Sequence, residues 1–235
     1  MTGTDRATVF DLDDTLVDTA EMWPRVCAAF TARHGHRWRD DDSAALHGNG
    51  DWAQYVAALC GAAAGKDEVV EVCTAAMVDA CAAGLVRALP GASRLVDEAR
   101  RHGPVAVATA SPRLFTAAVL EHLGLRGRVN AVVCGEDVRR AKPAPDAYLH
   151  AAAALGVPPW RCVAVEDSPN GIRSAAAAGL RVLAVPRGGA PLPADAAALS
   201  TAQAPSAVAA LPLLTRLHDD LASGVGAPAE TTGRR

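Results

Sequence analysis

Near its start the chain runs TVFDLDDTLVDT, residues 8 to 19. Val9, Phe10 and Leu12 form an apolar run of the kind that packs as a buried strand, yet Asp11, Asp13 and Asp14 are set into it. Three carboxylates within four residues repel one another, and packing gives no reason for them. Side chains alternate along a strand, so Asp11 and Asp13 share one side with Leu12 opposite. A strand that ends this way has to deliver both carboxylates into a crevice where something positive meets them.

The rest of the chain supplies the frame for that strand. Short apolar runs at 7–12, 105–109, 131–135, 162–165 and 182–185 have the length of buried parallel strands. Helix-like segments at 92–102, 112–123, 145–155 and 170–178 separate them. Gly103, Gly124, Gly156 and Gly179 follow these segments, where helix ends favour glycine. Such alternation predicts an α/β fold, a Rossmann-like three-layer parallel sheet with helices on both faces. Between 18 and 88 no convincing strand is found; helical stretches at 21–34, 51–64 and 66–83 predict a small all-helical cap inserted after the first strand. It would sit over the C-terminal strand ends, where open α/β sheets bind ligands. The predicted division is a core of 1–17 and 89–221, a cap of 18–88 and a disordered tail of 222–235. Order weakens after Pro186, where PRGGAPLP reads as loop.

Composition sets limits. Half of the 235 residues are hydrophobic, and the formal net charge of −3 gives no electrostatic case for nucleic acid or an anionic membrane. No apolar run approaches the roughly 20 residues of a spanning helix, and MTGTDRATVF lacks the apolar core of a signal peptide. Six cysteines form no CxxC pair and match no zinc spacing, so reduced thiols and a cytoplasmic protein are expected.

Three further strand ends carry chemistry. CVAVEDSPNGI places Glu166 and Asp167 past an apolar strand. If that strand neighbours the first, carboxylates from both converge and need a cation to stay ionised. The donors are oxygens, which favours Mg²⁺. VAVATASPR places Thr109 and Ser111 before a helix that Pro112 opens, and RRAKPAPDAY places Lys142 before another helix start. Hydroxyls, free backbone N–H groups and a lysine there suit a phosphate. A carboxylate can take a phosphoryl group as an acyl phosphate while a second one moves protons.

Asp11-x-Asp13-x-Thr15, Thr109, Lys142 and Glu166-Asp167 resemble, in order, the four motifs of the haloacid dehalogenase-like superfamily, over roughly residues 7 to 190. The insertion is similar to the cap of the subfamily containing phosphoglycolate phosphatases and β-phosphoglucomutases. The resemblance implies Asp11 as nucleophile, Asp13 as general acid/base, and Thr109, Ala110 and Lys142 at the phosphate. It implies Mg²⁺ on the Asp11 carboxylate, the Asp13 carbonyl and Asp167, with Glu166 a ligand or one step behind the ligands. It also implies a central first strand and a cis Lys142–Pro143 bond. The substrate would be a small phosphorylated metabolite. Asp14 stands where the family usually has glycine, and Asp13 argues against carbon–halogen cleavage. A sugar phosphomutase is the alternative, weakened because LHGNGDW carries Asp51 near the place of the arginine that holds a second phosphate. A non-catalytic binding module is a further alternative, but it would be expected to have lost the nucleophile or the lysine.

The cap reads two ways. Trp23, Phe30, Trp38, Trp52 and Tyr55 form either its small core or a wall facing the substrate. His47, Asn49 and Asp51, in a loop with Gly48 and Gly50, are candidate substrate contacts, while His34 and His36 read as solvated loop.

Overall fold

A computed structural model of the chain describes residues 5–224. Strand β1 (Ala7–Phe10) leads through a short β2 (Val17–Asp18) into four helices: α1 (Met22–Ala32), α2 (Asp40–Leu46), α3 (Trp52–Cys60) and α4 (Lys66–Ala82). The chain returns through β3 (Arg87–Ala88), which pairs antiparallel with β2. It then alternates: α5 (Ala92–His102), β4 (Val105–Ala108), α6 (Arg113–His122), β5 (Ala131–Val133), α7 (Asp146–Leu155), β6 (Cys162–Glu166), α8 (Pro169–Ala177) and β7 (Arg181–Ala184). Three elements close it: α9 (Ala194–Leu199), β8 (Ala202–Gln203) and α10 (Ala207–Ala222).

Six strands form one parallel sheet in the order β5-β4-β1-β6-β7-β8, with β1 inside it between β4 and β6. Every residue of β1, β4 and β6 is buried, as expected of a sheet covered on both faces. Alternation divides the core in two. Phe10, Val107 and Val165 pack with Leu95, Phe115 and Leu214 on one face. Val9, Ala106 and Ala164 pack with Tyr148, Ala151 and Ile172 on the other.

The four inserted helices carry a core of their own, built from Cys27, Phe30, Trp52, Val56, Val69 and Cys73. The far part of α4 leaves it: Met77, Ala80 and Cys81 join the sheet's core. The insertion rests on the sheet domain through α4, the β2–β3 ribbon, α1 residues such as Trp23, and the loop after α2.

Several elements differ from the sequence expectation. Residues 87–88 form a strand within the stretch read as strand-free, and 40–46 form a helix. Asp40, Asp41 and Asp42 crowd the first turn of α2, where the helix dipole favours negative charge. Asp42 also accepts from Tyr55 at 2.9 Å and lies 2.9 Å from His36, so His36 is bound to the insertion rather than free in solvent. The region after Pro186 is ordered into α9, β8 and α10 because its apolar residues pack back on the sheet. Of the expected tail, Ala222 belongs to α10 and 225–235 lie outside the described residues. All six cysteines are free and buried. Among the described residues no helix is long and apolar enough to cross a membrane.

Candidate active site

The strand ends deliver their polar residues to one cavity. It is lined by Asp11, Asp13 and Asp14 from the β1 end, Thr109, Ala110 and Ser111 from the β4 end, Lys142 before α7, and Asp167 after β6. The inserted segment closes the other side with Trp23, Leu46, His47, Asn49 and Trp52. β1 stops at Phe10, yet the alternation carries on. Leu12 is fully buried in the core while Asp11 and Asp13 face the cavity.

Lys142 lies at the centre. Its Nζ donates to Asp11 Oδ1 at 2.7 Å and to Glu166 Oε1 at 2.6 Å, and the residue is only 7% exposed. These are charge-assisted lengths. Burial works against the ammonium, but Asp11 and Glu166 more than offset it and hold Lys142 above the usual lysine range. Burial likewise pushes the Asp11 carboxyl up, to about 8, with Lys142 pulling against the rise and Glu166 and Asp13 adding to it. The short contacts mark an ion pair. The rise at Asp11 comes first from burial and then from the neighbouring carboxylates, against which Lys142 pulls. The Lys142–Pro143 peptide is cis.

Glu166 is fully buried, and both its oxygens are taken. Oε1 accepts from Lys142 and from Tyr148 Oη at 2.8 Å. Oε2 accepts from the amides of Asp167 and Ser168 and from Ser168 Oγ, each at 3.1 Å. Five donors leave it no free lone pair aimed at the cavity. Ser168 caps α8 by accepting from Gly171 N at 3.1 Å, with Pro169 opening the helix. Gly171 has to be glycine, since a Cβ there would overlap the Glu166 carboxyl group.

Asp13 is held at both oxygens. Oδ1 accepts from Thr19 Oγ1 and from the Trp23 indole, both at 2.8 Å. Oδ2 accepts from Ser111 Oγ at 2.5 Å and from Thr109 Oγ1 at 3.4 Å. Trp23 in turn lies against Trp52, 4.9 Å between ring centroids, and edge-on to Phe115 at 5.5 Å. The cap aromatics therefore divide. Trp23 and Trp52 line the cavity, Phe30 is core, and Trp38 and Tyr55 tie down α2 through Ser43 and Asp42.

Asp167 accepts from Thr15 at 3.1 Å through Oδ1, while its buried Oδ2 has no partner among the described residues. Burial pushes this carboxyl well above the ordinary range, with Glu166, Asp11 and Asp14 adding repulsion. Carboxylate oxygens of Asp11, Glu166 and Asp167 lie within 4.8 Å of one another. A buried carboxylate oxygen without a donor, in an all-oxygen cluster of excess negative charge, fits a hard divalent cation. Asn49 lines the cavity but turns its amide to Ala45 O, and Asp51 lines a crevice on the far side of Lys142.

Tyr148, Thr19, Arg187 and the polar role of Trp23 are not expected from the sequence and are found in the structure. Arg187 follows β7 and pairs with Asp14 at 2.8 Å and Asp18 at 2.6 Å. Nothing in the local sequence marks these four residues: Arg187 reaches partners from across the chain, and the hydrogen bonds of Thr19, Trp23 and Tyr148 depend on how the loops fold back.

A parallel sheet that gathers carboxylates, hydroxyls and a buried lysine at its carboxyl ends, beneath a helical insertion, defines an α/β enzyme with a ligand crevice at the strand ends. Residues 6–179 match the model of the haloacid dehalogenase-like hydrolases. Hexitol phosphatase A of Escherichia coli (strain K12) is 36% identical over 181 residues, covering 75% of this chain and 81% of that protein. Fructose-1-phosphate phosphatase YqaB of the same organism is 35% identical over 181 residues, covering 73% and 92%. The crystal structure of CbbY from Rhodobacter sphaeroides in complex with phosphate superposes with a TM-score of 0.77 at 27% identity, covering 87% of this chain and 96% of that one. The chain belongs to the haloacid dehalogenase-like hydrolase family.

Proposed function

We propose that this hydrolase is a phosphatase acting on a small phosphorylated sugar or polyol. In this reading Asp11 attacks phosphorus and carries the phosphoryl group, and Asp13 protonates the leaving oxygen. Asp13 then takes a proton from the water that cleaves the aspartyl phosphate. The observation that carries the reading is the pairing of roles in one cavity. Asp11 is fixed by Lys142, and Asp13 is oriented by four donors of its own. Lys142, Thr109 and the Ala110 backbone face the place where phosphate oxygens would lie. The relatives named as phosphatases of a hexitol and of fructose 1-phosphate support the substrate class.

Asp11, the Asp13 carbonyl and Asp167 would hold Mg²⁺, which supplies charge neutralisation at the phosphoryl oxygens when bound. Glu166 keeps Lys142 in place behind them. The 18–88 segment acts as a cap over the core of 1–17 and 89–221, and closure excludes water. Within the cap loop, His47 and Asn49 border the leaving group, while Asp51 lies to its side.

The leaving group is neutral and presents an apolar face. Trp23, Pro24, Leu46 and Trp52 form the wall, and Lys142 is the one lysine or arginine among the lining residues. A mutase needs a cationic hold on a second phosphate, and the wall has none. Nucleophile and lysine are both retained, which disfavours a binding module. Free thiols throughout are in keeping with the cytoplasm.

Phosphate release from a panel of hexitol, ketose, aldose and nucleotide monophosphates, with and without Mg²⁺, tests the reading. Turnover of sugar or polyol phosphates is expected, lost by at least about a thousandfold in Asp11→Asn with an unchanged fold. Hydrolysis that survives in Asp11→Asn contradicts it.

A further inference from the structure

Two side chains beside the acidic cluster have no part in the chemical steps above: Asp14, and His47, placed there only as a neighbour of the leaving group. Asp14 has φ of 58° and is the one non-glycine residue with positive φ among the described residues. That conformation is costly for most residues and least so for aspartate and asparagine. Contacts at one oxygen hold it there. Asp14 Oδ1 accepts from the amides of Thr19 and Ala20, at 3.2 and 2.9 Å, and from Arg187. Its other oxygen, Oδ2, lies 3.8 Å from His47 Nδ1. The opposite ring nitrogen, Nε2, lies 3.6 Å from Asp167 Oδ2, the buried carboxylate oxygen that lacks a partner.

Neither separation is a hydrogen bond. The second is close to what two donors to one cation require: atoms each about 2.1 Å from an ion stand roughly 3–3.5 Å apart. The first puts a carboxylate beside the far nitrogen, the kind of group to which a metal-binding imidazole donates its other N–H once the two close to hydrogen-bond distance. Oxygen and nitrogen atoms of Asp14, His47 and Asp167 lie within 4.8 Å of one another. The loop that carries His47 is also seated on the loop that carries Asp167. Asn170 donates to Gly48 O at 3.2 Å, and a Cβ on Gly48 would come within 2.7 Å of the Ser168 Cβ.

We propose that His47, reaching over from the inserted helices, is a nitrogen ligand for the cation at Asp167, with Asp14 orienting its ring, so that the site binds Mn²⁺, Co²⁺ or Zn²⁺ in addition to Mg²⁺. This rests on the divalent-cation reading of the site. Imidazole suits these ions, whereas Mg²⁺ takes oxygen donors, so His47 discriminates between them. The same bond ties the insertion to the sheet, because His47 follows α2 and Asp167 follows β6. Asp14, already held by Thr19, Ala20 and Arg187, presents its free oxygen to His47, and the two act as a pair.

The test uses the metal-stripped full chain and Mn²⁺ as the probe. Pulsed electron paramagnetic resonance of the bound Mn²⁺ is expected to show histidine nitrogen coupling in the unaltered protein and none in His47→Ala. Titration is expected to show Mn²⁺ affinity weakened about tenfold or more in His47→Ala and in Asp14→Asn. Mg²⁺ affinity would change by less than about twofold, which also reports an intact fold. Bound Mn²⁺ without nitrogen coupling, or coupling that persists in His47→Ala, overturns this inference alone. Failure of both Mn²⁺ and Mg²⁺ to bind the unaltered protein overturns the cation reading and this inference with it.

Discussion

Asp13 shows how much of this site is decided by single donors. Four groups from three parts of the chain converge on one carboxylate, and the Trp23 indole is the one supplied by the inserted helices. A hydrogen bond to a charged group contributes about 1.5–3 kcal/mol. Trp23→Phe keeps the aromatic wall and removes only that N–H. We expect kcat to fall roughly tenfold with KM little changed, since Asp13 acts in the reacting step rather than in binding. Steady-state kinetics on the best monophosphate checks this, and a KM effect alone would assign Trp23 to the wall only. Asp11, Asp13, Glu166 and Asp167 were legible in the sequence because charges set at the ends of apolar runs have no packing reason, and Lys142 because it stands before a proline at a helix start. Tyr148 and Trp23 were not legible: an aromatic residue on a helix satisfies a core pattern whether or not its polar atom has a partner. Tyr148 is fully buried and still donates to Glu166.

At the scale of elements, the join between α10 and β1 has a pH dependence of its own. His218 on α10 is fully buried, sits 2.8 Å from Thr8 Oγ1 through Nε2, and stacks on His102 at 4.7 Å. Burial, then His102 and Arg6, push its pKa down to about 3 from 6.5. The unfolded chain gains this proton as pH falls through 6.5, while the folded chain resists until about 3. The stability it contributes is therefore full above that range and declines below it, by up to about 1.4 kcal/mol per pH unit. Urea unfolding at pH 7.5 and pH 5 is expected to show a smaller loss in His218→Gln than in the unaltered chain. Equal losses would contradict the assignment. Five of the six strands of the sheet, and the helices between them, were legible from runs of Val and Ala broken by capping glycines. The last turns of the fold were not. In α10, Ala207, Ala210, Leu214, Leu217 and Leu221 do keep a helical period, but Pro212 lies among them and the preceding segment is rich in loop residues. β2, β3 and β8 have two residues each, too short for any periodicity.

Across the whole molecule, the site stores repulsion that the fold has to carry. Asp167 is buried with one oxygen unpartnered and other carboxylates close by. Removing its charge should stabilise the metal-free protein, by on the order of 1 kcal/mol or more, although the site is lost. Thermal unfolding is expected to show a higher Tm for Asp167→Asn than for the unaltered chain without added metal. Mg²⁺ is expected to raise the Tm of the unaltered chain and not of the variant. A variant that melts lower in both conditions would contradict this view of the cluster. The division between sheet and insertion was legible because the insertion lacks strand patterns. How the insertion meets the sheet was not, because that contact depends on His47, Trp23 and Met77 reaching partners far away in sequence. The central claim is that Asp11 carries the phosphoryl group, and rapid acid quench during turnover followed by peptide mass mapping tests it most directly. We predict a phosphoryl mass increment on the peptide containing Asp11, absent in Asp11→Asn. Turnover with no labelled Asp11 peptide, persisting in Asp11→Asn, would contradict it.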